Sequence, residues 1–473
     1  MRHLVFLMLI AAACMGCDPL AGPVSGRMGF SSDTISFDTV FSGAGSATLE
    51  LRAINLENDP LHIDRIWLGG GDASPFRLNI DGEASTEKMN MVIARGDSIF
   101  IFIVVTVDPT GDDLPVAVTD SVNFLSGSFS GRVILEAWGQ DIRIVNDDIL
   151  TNSVWTEGKP YVIDGELFID TLATLTLNSG TRVYMHHDAA ITVAGSLRAE
   201  GTPDKRVIFA TDRTESVYSD VPGRWKGITF LSCSHDNVLD YTTVRNARTA
   251  LRIDGAPASV PEVTLTGSVV MHNTVGSVVA RHAELTAVNS LFAHSGFSIV
   301  SLTEGGSYDF IHCTINNRWE YSFRSGPALF ISPGTGTMPL VSVVNSVISG
   351  SLANEMEIDA PVSIAASGFR ADSSLIKVDT LSASWYSTPL FRTVITGLPP
   401  KFIDEAEWDF RPDTLSPLLD RAGRTEMVAW PYDIRNKPRP AYAGPDIGAF
   451  ERQSGEKRKG NEGGSMAVIP SRY

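Results

Sequence analysis

The sequence lacks the short motifs by which several large enzyme classes are recognised, because it contains no HExxH, GxSxG, Walker A or GxGxxG pattern. Positive charge is also scarce: 38 Lys and Arg residues stand against 55 Asp and Glu residues, for a formal net charge of -17. Nucleic-acid binding usually needs a basic surface, so this charge argues against a nucleic-acid partner. Beyond the N-terminus, no apolar run reaches the roughly 18 residues that a membrane-spanning helix needs.

The composition is that of a globular chain with many turns. Hydrophobic residues make up 43% and charged residues 20% of the 473 residues, and this length is sufficient for two or three domains. The 41 glycines, together with many Ser, Thr, Asn and Asp residues, indicate frequent turns. We therefore predict an all-β protein.

The N-terminal segment "LIAAACMGCDPL" ends an apolar run of about ten residues, which is the length of a signal-peptide core and too short to span a bilayer. Its "CMGC" stretch resembles the lipobox of bacterial lipoproteins, with Gly16 before Cys17. The resemblance implies that residues 1–16 are a cleaved signal peptide and that lipidated Cys17 becomes the mature N-terminus. The alternative is an ordinary secretory signal that leaves Cys17 as a free thiol.

This resemblance also implies where the protein works. Lipid on Cys17 would attach the chain to a membrane of the cell envelope, for which we expect the outer membrane, and residues 17–33 would form a tether. Asp18 follows the cysteine, and in some bacteria that residue favours retention at the inner membrane. Inner and outer membrane therefore both stay open.

Residues 34–141 have the pattern of a β-sandwich. Short alternating strands are separated by turn clusters, so that one side of each strand enters a core. The segments "ISFDTVF", "SPFRLNIDG" and "LEAWGQD" resemble the immunoglobulin-like, choice-of-anchor domains of bacterial surface lipoproteins. This resemblance predicts an immunoglobulin-like fold and says little about a ligand.

Residues 142–410 have the pattern of a parallel β-helix. Brief apolar strands recur with a period in the low twenties, about one coil of such a solenoid, and "WEYSFRSGPALFISPGTG" indicates an inserted loop. The "GRWKGITF" and "LNSGTRV" turns resemble those of right-handed parallel β-helix proteins. The repeat aligns five positions at offsets of 25, 22, 24 and 32: Thr243, Ser268, Ser290, Thr314 and Ser346.

The C-terminal part reads as a closing segment and a tail. Residues 411–452, which end in "PDIGAFE", are similar to segments that follow such helices, and we expect them to cap the open last coil. Residues 453–473 are polar and predicted to be disordered. Cys233 and Cys313 lie in strand-like runs without metal-ligand spacing, so we expect buried free thiols, with a disulfide between them as the alternative.

The repeat alignment yields one candidate ligand-binding ladder. His272 and His294 each follow the aligned serine by four residues, so they should stack in adjacent coils, and Asn289 and Asn345 each precede it by one. Stacked imidazoles can contact a sugar or a metal. The alternative is that these side chains share turn hydrogen bonds or face water.

Two further groups are weaker candidates. His186, His187 and Asp188 form a polar trio that fits a solvated turn better than a metal site. A polysaccharide lyase would need a carboxylate cluster and a basic residue, for which the sequence offers five nearby residues: Asp236, Asp240, Arg245, Arg248 and Arg252. Because no Asp ladder is aligned in neighbouring coils, this enzyme interpretation is secondary.

We therefore expect a non-catalytic cell-envelope lipoprotein that presents a β-helix for binding or adhesion, with a glycan or a surface protein as ligand and no metal or cofactor. The alternative is a polysaccharide-degrading enzyme, a lyase or glycosidase of the β-helix type. The fold alone cannot separate these functions.

Overall fold

The computed structural model describes residues 24–25, 28–43, 45–113, 115–147, 149–378 and 390–456. The predicted signal peptide, Cys17 and residues 457–473 lie outside the described residues. Strands make up 51% and helices 4% of the structure, which confirms the all-β prediction. The described chain divides into two compact units: one contains the residues up to Ile142 together with Thr214–Ser216, and the other contains the rest.

The first unit is a sandwich of two sheets. Its strands are Val24–Ser25 (β1), Met28–Phe30 (β2), Thr34–Phe41 (β3), Leu49–Asn55 (β4), Leu61–Leu68 (β5), Phe76–Ile80 (β6), Glu83–Ala84 (β7), Glu87–Ile93 (β8), Ser98–Val105 (β9), Val116–Ser126 (β10) and Phe129–Gln140 (β11). One sheet has the order β1-β2-β4-β9-β6-β7, and the other has the order β3-β11-β10-β5-β8. The pairs are antiparallel except β3 with β11, which run parallel.

Alternation of side chains along the strands builds the sandwich core. In β9, Ile99, Ile101 and Ile103 are buried, whereas Phe100 and Phe102 between them are about 40% exposed. Successive side chains of a strand point to opposite faces, so the isoleucines meet the core and the phenylalanines face solvent. The two-residue repeat of the sequence therefore corresponds to the alternation of buried and exposed side chains along the strand.

The second unit begins with a long series of short strands. They are Arg143–Asn146 (β12), Ile149–Leu150 (β13), Ser153–Trp155 (β14), Tyr161–Asp164 (β15), Glu166–Ile169 (β16), Thr174–Asn178 (β17), Arg182–Met185 (β18), Ala190–Val193 (β19), Ser196–Glu200 (β20), Val207–Thr211 (β21), Gly227–Phe230 (β22), Asn237–Asp240 (β23), Thr242–Arg245 (β24), Thr249–Asp254 (β25), Glu262–Thr266 (β26), Val269–Asn273 (β27), Gly276–Val288 (β28), Leu291–Ser295 (β29), Val300–Ile311 (β30), Thr314–Asn317 (β31), Leu329–Ser332 (β32), Leu340–Val344 (β33), Val347–Gly350 (β34), Met356–Ile358 (β35), Phe369–Asp372 (β36), Leu375–Ile376 (β37) and Phe391–Arg392 (β38).

These strands form a parallel β-helix. One strand of each coil joins a ten-stranded parallel sheet, β12-β15-β18-β21-β24-β27-β29-β31-β34-β37. The other strands form a seventeen-stranded sheet that has two faces. The long strand β28 belongs to both faces, because its first half pairs with β25 and its second half pairs with β26. Aligned side chains stack in ladders through the core, for example Ile169, Val193, Phe230, Ile253, Ala280, Leu302, Ile331 and Ile358.

A hydroxyl ladder runs along the turn that precedes the ten-stranded sheet. The backbone N–H of each residue donates to the side chain one coil further on, as from Thr242 to Ser268 and from Ser268 to Ser290. The sequence alignment was wrong by one residue at two positions, because Thr242 and Cys313, not Thr243 and Thr314, occupy the ladder. In the sequence a threonine stands at both misaligned positions, next to the residue that occupies the ladder. Only the strand register shows which of the two neighbouring residues belongs to the ladder.

Residues 402–456, which we call the C-terminal segment, pack on the outer face of the ten-stranded sheet. It contains the hairpin Phe402–Asp404 (β39) and Asp409–Pro412 (β40), and it follows a short helix, Val362–Gly368 (α1). Short 3-10 helices occur at Gly71–Ala73, Ser216–Tyr218, Glu405–Glu407 and Glu426–Val428. The apolar side chains of the segment cover outward residues of β27, β29, β34 and β37. Thus the predicted cap, residues 411–452, contacts strand faces over several coils.

Searching the described part of the chain finds no helix with the length and apolarity that crossing a membrane requires.

Candidate functional site

The candidate site lies where the central strands of the ten-stranded sheet end. In three successive coils the residue at this corner has a left-handed backbone: Asn246, His272 and His294, with φ of 67°, 58° and 52°. Among residues other than glycine, Asn, Asp and His are enriched in this conformation. The strand register aligns Met271 with Ala293 and Asn273 with Ser295, so the two histidines lie side by side.

The two imidazoles are in direct contact. Nδ1 of His272 lies 2.7 Å from Nδ1 of His294, and the rings meet edge to face with centroids 4.9 Å apart. The two residues are only 1% and 2% exposed. Since both ring nitrogens at this contact need a shared proton, one imidazole donates and the other accepts.

Asp220 and Trp408 close one side of the pair. Oδ1 of Asp220 lies 3.4 Å from Nε2 of His272, and the indole N–H of Trp408 donates to Oδ2 of Asp220 at 3.1 Å. Asn246 holds the loop that carries Asp220, because its amide donates to the carbonyl oxygens of Ser219 and Val221. The Trp408 ring packs 4.5 Å from the ring of His294.

The inserted loop after β31 supplies two more rings. Trp319 and Tyr321 pack against His294 with centroids 4.9 and 5.6 Å away. The loop is held by Arg324, whose guanidinium is buried and donates to the buried carboxylate of Glu355. We refer to His272, His294, Trp319, Tyr321, Trp408 and Asp220 as the aromatic site.

The aromatic site has a buried base and an exposed rim. Tyr321 is 57% exposed, and Trp319 and Trp408 are each partly exposed. Next to them, Phe297 is 50% exposed and Phe323 is 92% exposed. Trp408 holds its ring there with a left-handed backbone, φ 57°, which a bulky residue seldom adopts.

Burial keeps both histidines uncharged at neutral pH. It lowers the pKa of His294 to about 4, although the charges of Asp220 and Glu320 act in the opposite direction. Burial also holds the pKa of His272 well below its ordinary value, and the neighbouring His294 and Arg245 lower it further. Each ring is therefore a neutral hydrogen-bonding group at pH 7.

The two asparagines of the predicted ladder lie at the other end of these strands. Asn289 donates to the carbonyl oxygen of Tyr432 at 2.9 Å, and Asn345 donates to that of Gly423 at 3.0 Å. Both also accept hydrogen bonds from the C-terminal segment. The structure thus brings His272 and His294 together and places Asn289 and Asn345 in contacts that hold the C-terminal segment.

The five residues that the sequence offers for the active site of a lyase do not share one surface. Arg245 ends β24 on the ten-stranded sheet, whereas Arg252 lies in β25 of the other sheet and pairs with Asp254 at 2.6 Å. Asp236 faces His235 at 2.8 Å, and burial raises the pKa of Asp240. Arg248 is exposed. These placements do not assemble a catalytic cluster.

The polar trio separates in a similar way. His186 contacts Asp212 at 2.5 Å, and His187 lies 3.5 Å from Asp188 on an exposed turn. Among the residues that the structure describes, no group of three or more His, Cys, Asp or Glu side chains could hold a metal ion.

Cys233 and Cys313 are free thiols, as expected, but of these two only Cys313 is buried. Cys313 occupies the hydroxyl ladder, and burial raises its pKa to about 12. The expectation that Cys233 is also buried is wrong, because it lies in an exposed turn after β22.

Sequence reasoning missed the aromatic half of the site. Trp319 and Tyr321 come from an insertion that has no counterpart in the neighbouring coils, and Trp408 comes from a segment more than 100 residues beyond His294. One signal was present: the inserted loop concentrates Trp, Tyr and Phe immediately after the coils that carry the histidines.

Fold and site together define an all-β protein whose parallel β-helix carries an aromatic and histidine-containing surface. No family model and no curated protein matches the chain. The YadV chaperone structure is 17% identical, with a TM-score of 0.17, over 24% of this chain and 52% of that chain. A family 123 glycoside hydrolase from Clostridium perfringens, described for glycolipid glycan hydrolysis, is 8% identical, with a TM-score of 0.18, over 26% of each chain.

The chain therefore spans about half the length of the first of these structures and about a quarter of the second. Likenesses this short and this weak assign neither a family nor a function.

Proposed function

We propose that this protein is a non-catalytic cell-envelope lipoprotein that binds a glycan at the aromatic site of its β-helix. In this proposal Cys17 carries the lipid, the outer membrane is the anchoring membrane, and an immunoglobulin-like sandwich follows the anchor in the chain and precedes the β-helix. The observation that carries the binding function is the exposed rim of Trp319, Tyr321 and Trp408 around a buried imidazole.

Chemistry at this rim suits a sugar. One face of a pyranose ring is lined by C–H groups and can lie on an indole or phenol ring, which combines apolar area with a polar edge. The hydroxyl groups of the sugar then need hydrogen-bond partners, and the half-exposed carboxylate of Asp220 and the imidazole of His294 lie beside the rings. Surface aromatics that cluster next to polar groups commonly mark a binding site.

A protein ligand would use the same rings, but the inserted loop favours the smaller ligand. Arg324 and Glu355 fix the root of the loop, so Trp319 and Tyr321 are held in place before a ligand arrives. A preformed pair of rings reduces the entropy that binding must overcome, which matters most for a weakly interacting sugar.

The enzyme alternative has less support. Glycosidases need two carboxylates across the scissile bond, and lyases that act on acidic polymers need a base beside a carboxylate cluster. At the aromatic site, Asp220 already accepts from Trp408 and contacts His272, while the next carboxylate, Glu320, pairs with Arg318 at 2.7 Å.

Affinity electrophoresis of the ectodomain in gels that contain plant, host or bacterial glycans tests the proposal. We expect retention in at least one gel and its loss in Trp319→Ala and Tyr321→Ala. Tyr442→Ala is a matched control, because Tyr442 is 52% exposed in the same unit and lies outside the aromatic site. Release of reducing or unsaturated ends should be measured on the same polymers.

Two outcomes would contradict the binding proposal. One is the absence of retention in every gel. The other is depolymerisation that Arg245→Ala, Arg248→Ala or Arg252→Ala abolishes, since this would establish the enzyme alternative.

The anchor has its own test. Mass spectrometry of the detergent fraction of cells should show that residues 1–16 are missing and that Cys17 carries acyl mass. A soluble product with a different N-terminus would rule out the lipid anchor without affecting the glycan site.

A further inference from the structure

Two arginines of the β-helix unit have no acidic partner, although the chain has a net charge of -17. The guanidinium groups of Arg224 and Arg245 form no ion pair and no hydrogen bond with any residue that the structure describes, and Nε of each is buried. Other arginines of this unit pair with a nearby carboxylate, as Arg198 does with Glu200 at 3.0 Å. Because a buried charged donor without an acceptor is costly, these two arginines favour a ligand that brings acceptors.

The strand register brings Arg245 close to Tyr184 and Arg182. In β24 the side chain of Val244 enters the core, so Arg245 projects from the outer face of the ten-stranded sheet. Continued by one residue, the register of β21 with β24 places Ala210 between Arg245 and Tyr184 of β18, whose backbones are about 10 Å apart. Burial raises the pKa of the Tyr184 phenol, while the charges of Arg182 and Arg245 lower it. Both guanidinium groups therefore lie near this phenol.

Thr243 adds a buried hydroxyl group on the same face. It precedes Arg245 by two residues, so the two side chains leave β24 on one side. Thr243 is only 4% exposed, and its hydroxyl group has no hydrogen-bond partner within the described chain. Arg182 occupies the same row two strands away, where its guanidinium donates to the carbonyl oxygen of Gly158 at 2.6 Å. Donors from neighbouring strands thus converge on this part of the outer face.

Arg224 comes to these residues from the corner where β24 ends. Its backbone N–H donates to the carbonyl oxygen of Asn246 at 2.7 Å, so it stands one coil away from Arg245 and next to it along the chain direction. The ring of Tyr218 lies 5.4 Å from the guanidinium carbon of Arg224 and 4.3 Å from that of Arg213. Such a contact orients a guanidinium but leaves its N–H groups available. We call five residues the cationic patch: Arg182, Tyr184, Arg224, Thr243 and Arg245.

The carboxylates on the neighbouring segments already have partners. Asp212 contacts His186 at 2.5 Å, and the buried Asp433 pairs with Arg435 at 3.1 Å. Asp220 is engaged in the aromatic site. None of these three carboxylates forms an ion pair with the cationic patch. More distant charges are screened beyond about 10 Å at 0.1 M ionic strength, so the local excess of charge is positive.

We propose that the cationic patch binds a phosphate group, either as the free anion or as a monoester. A phosphate monoester carries about -1.5 to -2 charges at pH 7 and three strong acceptor oxygens, which suits three guanidinium groups better than the single charge of a carboxylate. The hydroxyl groups of Tyr184 and Thr243 can donate to the same oxygens. This binding goes beyond the glycan site and does not depend on it.

Equilibrium dialysis of the full-length protein against two probes at pH 7.5 and constant ionic strength tests the proposal. The probes are radiolabelled inorganic phosphate and glucose 6-phosphate. We expect saturable binding of at least one of them. Tighter binding of inorganic phosphate would identify the free anion as the ligand, and tighter binding of glucose 6-phosphate would identify a phosphate ester.

Substitutions connect the binding to the cationic patch. We expect Arg245→Ala to weaken the affinity by at least about tenfold, because it removes charge-assisted hydrogen bonds to the phosphate oxygens. Arg245→Lys keeps the charge but loses the planar fork, so it should recover only part of the affinity. Arg198→Ala is the matched control, since it removes the same charge from an exposed ion pair in the same unit and should leave the affinity unchanged.

Three outcomes would overturn the proposal. The first is the absence of saturable binding of both probes. The second is an equal loss of affinity in Arg198→Ala and Arg245→Ala, which would show a response to net charge alone. The third is unchanged affinity in Arg245→Ala and in Arg224→Ala, with folding verified by circular dichroism. Because the glycan gels measure retention at the aromatic site, either proposal can fail without the other.

Discussion

The two ends of the central strands of the ten-stranded sheet use similar residues for different purposes. Where the strands begin, Asn289 and Asn345 are left-handed and their amides bind the C-terminal segment. Where the strands end, His272 and His294 are left-handed too, but their rings pack against each other and against Trp408. A repeated polar turn residue is therefore not itself a sign of a site, because its role depends on what the rest of the chain brings to it.

The buried charges follow the same division. At the beginning of the strands, Arg439 and Glu451 form an ion pair at 3.1 Å with both side chains fully buried. Glu451 also accepts from the backbone N–H groups of Ala441 and Asp446, so this part of the "PDIGAFE" segment is occupied in fixing its own turns. At the other end, Asp220 is half exposed and remains accessible to a ligand.

Breaking the ion pair at the beginning of the strands should have the largest effect. We expect Arg439→Ala to lower the free energy of unfolding of the β-helix unit by about 3–5 kcal/mol, because it leaves the carboxylate of Glu451 buried without its partner. Urea denaturation followed by tryptophan fluorescence measures the change. Arg252→Ala is the control, since its exposed pair with Asp254 should contribute less than about 1 kcal/mol. Similar losses in the two variants would contradict the assignment of a structural role.

Acidification should act on the histidine end. The pKa of His294 is about 4 in the folded protein and about 6.5 in the unfolded chain, so the unfolded chain binds more protons between these values. Stability from this group is complete above pH 6.5 and falls as the pH drops towards 4, by up to about 3 kcal/mol. The lowered pKa of His272, on which Arg245 also acts, adds to the loss in the same direction.

Urea denaturation of the wild type and His294→Asn at pH 7.5, 6 and 5 measures this dependence. We expect the stability of the variant to fall less on acidification, because one buried titrating group has been removed. The variant also removes the effect of His294 on the pKa of His272, which reduces the loss in the same direction, while the carboxylates that face the pair, Asp220 and Glu320, remain in both proteins. Parallel curves for the two proteins would show that His294 does not titrate as its burial implies.

The sequence predicts the sandwich and the β-helix better than it predicts which side chains meet at the two ends of the strands. Period-two alternation reveals the sandwich, and a repeat in the low twenties places His272 beside His294, because both are local regularities of the chain. The same regularity cannot place Trp319, which lies in an insertion, or Trp408, which reaches the site through the packing of the C-terminal segment. It also cannot say that Asn289 and Asn345 meet that segment, since the contact joins residues about 80 to 140 apart.

The asparagine end can be tested at a single position. Asn345 accepts from the backbone N–H of Gly423 at 2.7 Å and donates to its carbonyl oxygen at 3.0 Å, from a left-handed backbone with φ of 52°. We expect Asn345→Gly to cost about 1–3 kcal/mol through the lost hydrogen bonds. Asn345→Ala should cost about 1 kcal/mol more, because a β-carbon disfavours that backbone. Denaturation midpoints of the two variants separate these terms, and an alanine variant as stable as the glycine variant would exclude the conformational contribution.

We expect the smallest change in the free energy of unfolding from a substitution in the hydroxyl ladder, which runs along the turn before the strands. Cys313 takes the place that serine holds in the adjacent coils, with its thiol 3.3 Å from the carbonyl oxygen of Ala287. A serine at this position can donate to the same carbonyl oxygen, and its side chain is slightly smaller. The better hydrogen bond offsets the lost packing contact. We therefore expect Cys313→Ser to change the free energy of unfolding by less than about 1 kcal/mol. Cys313→Val, which has similar volume but no donor, should be destabilised more, because the carbonyl loses its thiol partner. If the valine variant were the more stable of the two, side-chain volume and not hydrogen bonding would govern this position of the ladder.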